Sequence, residues 1–177
     1  MQIWLDQVRE EPFNWEETKS IAPETLEQPE LTALSPVTWK GQVVFADPGY
    51  YLRARLSYEQ TLSCDRCLKP IVEPVESDIE LLILVERAPG VAGEHELDER
   101  DLGILHLKGE VLETDPILVE QLQLNIPMKP LCRPDCKGLC PQCGTDRNEA
   151  DCSCEEQTVD TRWAALAALK SRFEEGR

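Results

Sequence analysis

The stretch Tyr50-Tyr51-Leu52-Arg53-Ala54-Arg55-Leu56-Ser57-Tyr58-Glu59-Gln60-Thr61-Leu62 decides the fold. Leu52, Ala54, Leu56, Tyr58 and Leu62 fall on one side of an extended chain, with Gln60 the exception. Arg53, Arg55, Ser57 and Glu59 fall on the other. A period of two marks a strand with one buried face. Upstream, residues 37–45 are rich in β-branched and aromatic side chains and end at the turn signal Asp47-Pro48-Gly49. Downstream, Val75, Ile79, Leu81, Ile83 and Val85 alternate with Glu76, Asp78, Glu80 and Glu86. Leu82 and Leu84 interrupt that polar side, so this strand's C-terminal half is expected to be covered on both faces. Residues 36–86 therefore read as an antiparallel β-meander.

Beyond the meander, residues 87–101 read as an acidic loop and residues 108–113 as a short strand. Asp115-Pro116 opens a mid-chain helix, with Asp as N-cap and Pro in the first turn. Ile117, Leu118, Leu122 and Ile126 form its apolar stripe, and Pro127 stops it. Asp160 caps a C-terminal helix whose apolar positions are Trp163, Leu166, Leu169 and Phe173. Between Glu10 and Glu30 lie seven Glu and three Pro. Residues 1–35 are therefore expected to be an acidic, weakly ordered segment, although Trp4, Phe13 and Trp15 require part of it to pack down. No internal repeat is evident. The expected fold is α+β in four parts: the segment 1–35, a meander domain over 36–126 with its helix, a Cys-rich zinc-binding loop module over 127–156, and a helix over 157–177.

The net charge is −16 over 177 residues. Such a chain repels a phosphate backbone at long range, so any RNA contact must be local or run through a protein partner. The charge is uneven. Residues 1–126 carry a net −15, residues 127–148 a net +2 and residues 149–177 a net −3. The longest aliphatic run, residues 81–85, is far short of the roughly 20 residues of a membrane helix. The first residues lack a basic start and an apolar core, so they do not read as a secretory signal. The chain reads as cytoplasmic, with no membrane partner and no small-molecule substrate.

Eight cysteines in a reducing compartment point to metal rather than disulfides. Six form the series Cys132-x3-Cys136-x3-Cys140-x2-Cys143, followed by Cys152-x-Cys154. The turn Cys140-Pro141-Gln142-Cys143-Gly144 aims two sulfurs at one point, and Gly permits the left-handed residue that follows. Zinc takes four such thiolates in a tetrahedron. Several groupings fit. Cys140, Cys143, Cys152 and Cys154 could form one site, or Cys132, Cys136, Cys140 and Cys143 could, with the remainder joining Cys64 and Cys67. One zinc with spare thiols also fits, so the expectation is one or two ions. Cys136-x3-Cys140-x2-Cys143 also has the spacing that holds an iron–sulfur cluster in radical S-adenosylmethionine enzymes. Those enzymes need a large α/β barrel, and here a meander precedes the motif and few residues follow it. A thioredoxin-like role for Cys64-x2-Cys67 lacks the helix that lowers the thiol pKa.

At these cysteines the chain resembles a known family. Leu62-Ser63-Cys64-Asp65-Arg66-Cys67-Leu68-Lys69-Pro70 resembles the C-x-R-C-L-x-P signature of the YceD proteins, the large ribosomal RNA subunit accumulation proteins. Residues 127–132, 135–144, Cys152-Ser153-Cys154 and Asp160-x-Arg162 resemble a second signature found in many members. The resemblance covers roughly residues 36–172. It implies a bacterial or plastid factor supporting synthesis, processing or stability of large-subunit (23S) ribosomal RNA. Residues 145–151 depart from the usual loop between the Cys pairs.

No catalytic constellation accompanies this. His95 sits in the acidic loop and His106 stands alone, and no phosphate-binding Gly loop is present. The expectation is a non-enzymatic ribosome-biogenesis factor. Lys129, Arg133, Lys137 and Arg147 of the Cys module, with Arg53, Arg55, Arg66 and Lys69 near the first Cys pair, are the candidates for contact with an rRNA precursor or a large-subunit ribosomal protein. Two alternatives stand beside it: a zinc-stabilised adaptor whose acidic surface binds basic ribosomal proteins, and a thiol-based redox or zinc regulator.

Overall fold

A computed structural model describes residues 1–85 and 103–154. The chain falls into two compact units, Met1–Pro134 and Asp135–Arg177. The described elements run β1 (Gln2–Trp4), α1 (Leu5–Val8), β2 (Phe13–Lys19), a 3-10 turn (Pro23–Leu26), β3 (Leu31–Leu34), β4 (Val37–Ala46), β5 (Gly49–Ser63), β6 (Pro70–Val85), β7 (Ile104–Leu107), β8 (Val111–Glu113) and α2 (Thr114–Leu124).

The meander is β4-β5-β6. β5 pairs antiparallel with β4 from Thr38↔Ser57 to Ala46↔Gly49, and with β6 from Tyr50↔Ile83 to Ser63↔Pro70. The six-stranded sheet has the order β2-β4-β5-β6-β7, and β3 joins β5 at Leu31↔Leu62. One pair departs from the antiparallel expectation: β7 runs parallel to β6. A parallel return needs a connection of about a dozen residues or more, and residues 86–102 supply that length. The acidic loop expected there lies outside the described residues, as does the helix expected over 157–177. β8 pairs with β1 in a separate two-stranded sheet.

The alternation seen in the sequence becomes the core. Leu52, Leu56 and Leu62 of β5 are fully buried with Trp39, Ile83, Leu118 and Leu122. Gln60, the exception in the pattern, is 1% exposed. It lies opposite Glu73 and donates its amide to that carboxylate at 2.7 Å, so the strand buries a polar residue by pairing it across the sheet. Leu81, Leu82, Leu84 and Val85 are all half-buried, so both faces of the end of β6 are partly covered.

The first 35 residues correct the expectation of a weakly ordered segment. They hold three strands, and Ile3, Leu5, Val8, Leu26 and Leu31 belong to the core. β2 pairs with β4 along its whole length, from Phe13↔Val43 to Lys19↔Val37. Its half-buried positions include Glu17 and Lys19 beside Phe13 and Trp15, which is why composition hid it.

α2 starts two residues earlier than the Asp-Pro pair suggested. Glu113 is its N-cap and makes no side-chain cap bond. Asp115 sits in the first turn and accepts from the Met1 amino group at 2.6 Å and from the Lys19 ammonium. Those bonds, Lys19 first, hold the Asp115 carboxyl below its usual pKa. A carboxyl depressed in the folded state stabilises the fold above its unfolded value, about 4, and loses that contribution as pH falls through the lower folded value. Asp115→Asn should therefore be less stable than wild type at about pH 6 and converge on it by about pH 2 in urea titrations. Parallel curves across that range would contradict this role. Among the described residues, no helix is long and apolar enough to cross a membrane.

Candidate metal centres

The β5–β6 hairpin ends at the pair Ser63↔Pro70 and leaves Cys64 to Lys69 as its tip. Within the tip, the Cys64 N–H donates to the Lys69 carbonyl at 2.9 Å and the Leu68 N–H to the Cys64 carbonyl at 2.9 Å. A second tip has the same construction. Leu139 bridges Asp146, the Cys140 N–H donates to the Thr145 carbonyl at 2.8 Å, and the Gly144 N–H donates to the Cys140 carbonyl at 2.9 Å. Cys-x2-Cys occupies the same two positions in each tip. The residue after the second Cys must be left-handed to close the turn. Gly144 meets that need at φ 73°, whereas Leu68 meets it at φ 60°. For a residue with a Cβ this region costs roughly 1–2 kcal/mol.

The eight sulfurs fall into two sets of four, each with its sulfurs within 4.8 Å of one another. Cys64 and Cys67 join Cys132 and Cys136; Cys140 and Cys143 join Cys152 and Cys154. Of the groupings the sequence left open, this is the one in which the first Cys pair takes up Cys132 and Cys136. The iron–sulfur triplet is not assembled, because Cys136 belongs to a different set from Cys140 and Cys143.

The second segment of the first set is tied in through main-chain groups. The Asp65 N–H donates to the Pro130 carbonyl at 2.9 Å, and the Cys132 N–H donates to the Cys64 sulfur at 3.4 Å. The Cys67 and Cys132 sulfurs stand 3.6 Å apart. A disulfide would need about 2.05 Å. A zinc tetrahedron with bonds of about 2.3 Å has sulfur–sulfur edges of about 3.8 Å, so the spacing and the all-thiol donor set fit that ion. Burial pushes the Cys64 thiol up, but the N–H groups of Cys132, Cys67 and Arg66 outweigh it and bring it down to about 6. Cys64, Cys67 and Cys136 are buried while Cys132 is exposed.

The second set is more open: Cys140 is buried, Cys143 exposed, and Cys152 and Cys154 intermediate. The hydroxyl and N–H of Thr145 lead in bringing Cys143 down to about 6, while the bond to Cys143 leads in pushing Cys154 up to about 12. The N–H groups of Cys143 and Gln142 lower Cys140. A bound cation would require all four of these thiols as thiolates, and the N–H groups that lower Cys140 and Cys143 favour that form at two of them.

Two supporting residues escaped the sequence reading. Asn148 donates its amide to the Cys136 sulfur at 3.4 Å and accepts the Lys137 N–H at 2.8 Å. The Thr145 hydroxyl lies 3.1 Å from the Cys143 sulfur. Both lie in the loop 145–151, and nothing in a single sequence distinguishes them from ordinary turn residues.

The cationic candidates separate into three groups. Arg66 and Lys69 stand on the first tip and are exposed, as are Lys129 and Arg133 on the segment bonded to it. Lys137 and Arg147 belong to the second unit, beside the second tip, where the Arg147 N–H donates to the Gly138 carbonyl. Arg53 and Arg55 stand apart on the outer face of β5. Arg55 makes a two-bond pair with Asp78 at 2.6 and 2.8 Å, and Arg53 pairs with Glu80 at 3.3 Å. Neighbouring carboxylates balance those two charges, which weakens them as phosphate contacts.

Comparison with known proteins adds a lineage. An uncharacterised protein of Mycobacterium tuberculosis is 32% identical over 106 residues, which are 60% of this chain and 48% of that protein. The YlbN protein of Bacillus subtilis, also uncharacterised, is 26% identical over 172 residues, 97% of this chain and 95% of its own length. The large ribosomal RNA subunit accumulation protein YCED homolog 1, chloroplastic, of Arabidopsis thaliana is 28% identical over 136 residues, 65% of this chain and 42% of that protein. The chain thus spans about half the length of the mycobacterial relatives it matches. No solved structure matches it. The family model described as large ribosomal RNA subunit accumulation protein YceD matches residues 52–170, which takes in both sets of sulfurs, and the chain belongs to the YceD family.

Proposed function

We propose that the protein is a non-catalytic factor supporting large-subunit ribosomal RNA, that each set of four thiolates holds a zinc ion, and that the first set shapes a local RNA-contacting surface. The family and the name of the plant relatives support the ribosomal role. One observation carries the surface: the tip with Arg66 and Lys69 is bonded, through the Asp65 N–H and the Pro130 carbonyl, to the segment with Lys129 and Arg133. Four cations from two distant stretches of sequence are thereby gathered on a chain of net charge −16. A cytoplasmic protein this acidic reaches RNA only where such charge is concentrated.

Co-sedimentation with large-subunit rRNA precursors across a salt series tests this. Binding should weaken as salt rises, and Lys129→Glu with Arg133→Glu should lower the affinity and flatten the salt slope by roughly one to two. No association at any ionic strength would overturn the reading. The overall acidity favours a second one, an adaptor that binds basic ribosomal proteins. In that case the two charge reversals would leave capture of a basic partner unchanged.

A further inference from the structure

Leu68 occupies the position that Gly144 occupies in the second tip, with φ 60° against 73°, yet its side chain is 64% exposed. Glycine would close the first tip without strain, as it does the second. A leucine there loses on two counts: it holds a backbone conformation that its Cβ disfavours, and it leaves an apolar side chain in water. Neither loss is offset by core packing. Strain kept at an exposed apolar residue is the kind of outlier from which a contact with another molecule is inferred.

The surroundings extend the point. Val72, two residues into β6 from the tip, is 58% exposed, and Met128, two residues before the bonded Pro130, is fully exposed. Three of the seven large exposed apolar residues described thus lie in the tip or within three residues, along the chain, of the tip or of the Pro130 bonded to it. The cations Arg66, Lys69, Lys129 and Arg133 flank them in sequence.

We infer that Leu68 is an RNA-contact residue: with Met128 beside it, it packs against an unstacked base of single-stranded RNA while the flanking cations take the phosphates. This rests on the proposed RNA-contacting role of the first tip. Exposed apolar side chains with cations close by in sequence, on two segments bonded to each other, complement nucleobase faces joined by anionic phosphates. Leucine and methionine are side chains that wedge against base steps in other nucleic-acid-binding proteins. A fully paired A-form helix offers no such base face, so the surface should discriminate single-stranded from duplex RNA.

The test uses the zinc-loaded full chain and two labelled probes, an RNA hairpin with an unpaired loop and a fully paired duplex of equal length. Leu68→Gly should lower affinity for the looped hairpin about tenfold and leave the salt slope unchanged. It should spare metal content and raise or maintain the melting temperature, because it relieves strain. Leu68→Asn, which tolerates the left-handed region, should behave the same way. Three outcomes overturn the inference. Unchanged hairpin binding removes Leu68 from the RNA contact. An equal loss on hairpin and duplex removes the base contact. Loss of metal in both variants makes Leu68 structural. Failure of the wild type to bind either probe at any salt sinks the RNA reading itself, which distinguishes the two failures.

Discussion

Cys67→Ser should cut the zinc content of the full chain from the two equivalents that its two sets of sulfurs can hold to one. It should also lower the melting temperature by roughly 10 °C or more. Cys67 is buried and its sulfur stands 3.6 Å from that of Cys132. A serine hydroxyl is not a thiolate at neutral pH, and the three remaining sulfurs would hold zinc poorly. Metal binding to a thiolate site of this kind is worth on the order of 10–16 kcal/mol where it drives folding outright. Here only part of that can appear as stability, because the sheet forms the hairpin that carries the tip. Even part is large beside the 5–15 kcal/mol or so that holds a typical domain. Cys143→Ser makes the control: its set lies wholly in the second unit, so one equivalent of zinc should be lost while the unfolding of Met1–Pro134 moves little. Elemental analysis with calorimetry on the same samples decides it. A wild-type chain produced with ample zinc that is metal-free and fully folded would sink the assignment.

The sequence left the grouping of the cysteines open, and the inequality of the two sets explains why. Cys140 to Cys154 is compact in sequence, and Gly144 marks its turn in plain letters. The first set draws on residues 64–67 and 132–136, and the partnership depends on main-chain bonds such as Asp65 N–H to Pro130 that no spacing rule encodes. Leu68 concealed the likeness of the two tips, because a left-handed leucine has no signature in sequence. In the sheet, β5 was legible because its buried face is nearly pure. β2 was not, because its half-buried residues alternate with exposed Asn14, Glu16 and Thr18 and only Phe13 and Trp15 are large and apolar. Parallel pairing of β7 is likewise a property of the connection and not of the four residues themselves.

The docking of β2 turns on a single glycine, and Gly41→Ala should destabilise the protein by about 2–3 kcal/mol. Gly41 sits in β4 directly between Trp15 and Ala54 of the flanking strands. A Cβ there would lie 2.6 Å from the Trp15 ring and 2.7 Å from the Ala54 Cβ, well inside the contact distance of about 3.5–4 Å. Ala54 belongs to the central strand and cannot retreat. The Trp15 ring must swing away, and it then gives up its contact with Trp39, whose centroid is 5.5 Å distant. The sign makes the test sharp. Glycine inside a strand ordinarily costs roughly 0.5–1 kcal/mol relative to alanine, so without the clash this substitution would stabilise. Urea unfolding followed by tryptophan emission reads both effects, since Trp15 moves toward solvent as β2 loosens. In a Trp15→Ala background the cost should shrink but not vanish, because the Ala54 methyl remains in the way. A stabilised Gly41→Ala with unchanged emission would mean that Trp15 does not lie over Gly41 and does not anchor β2.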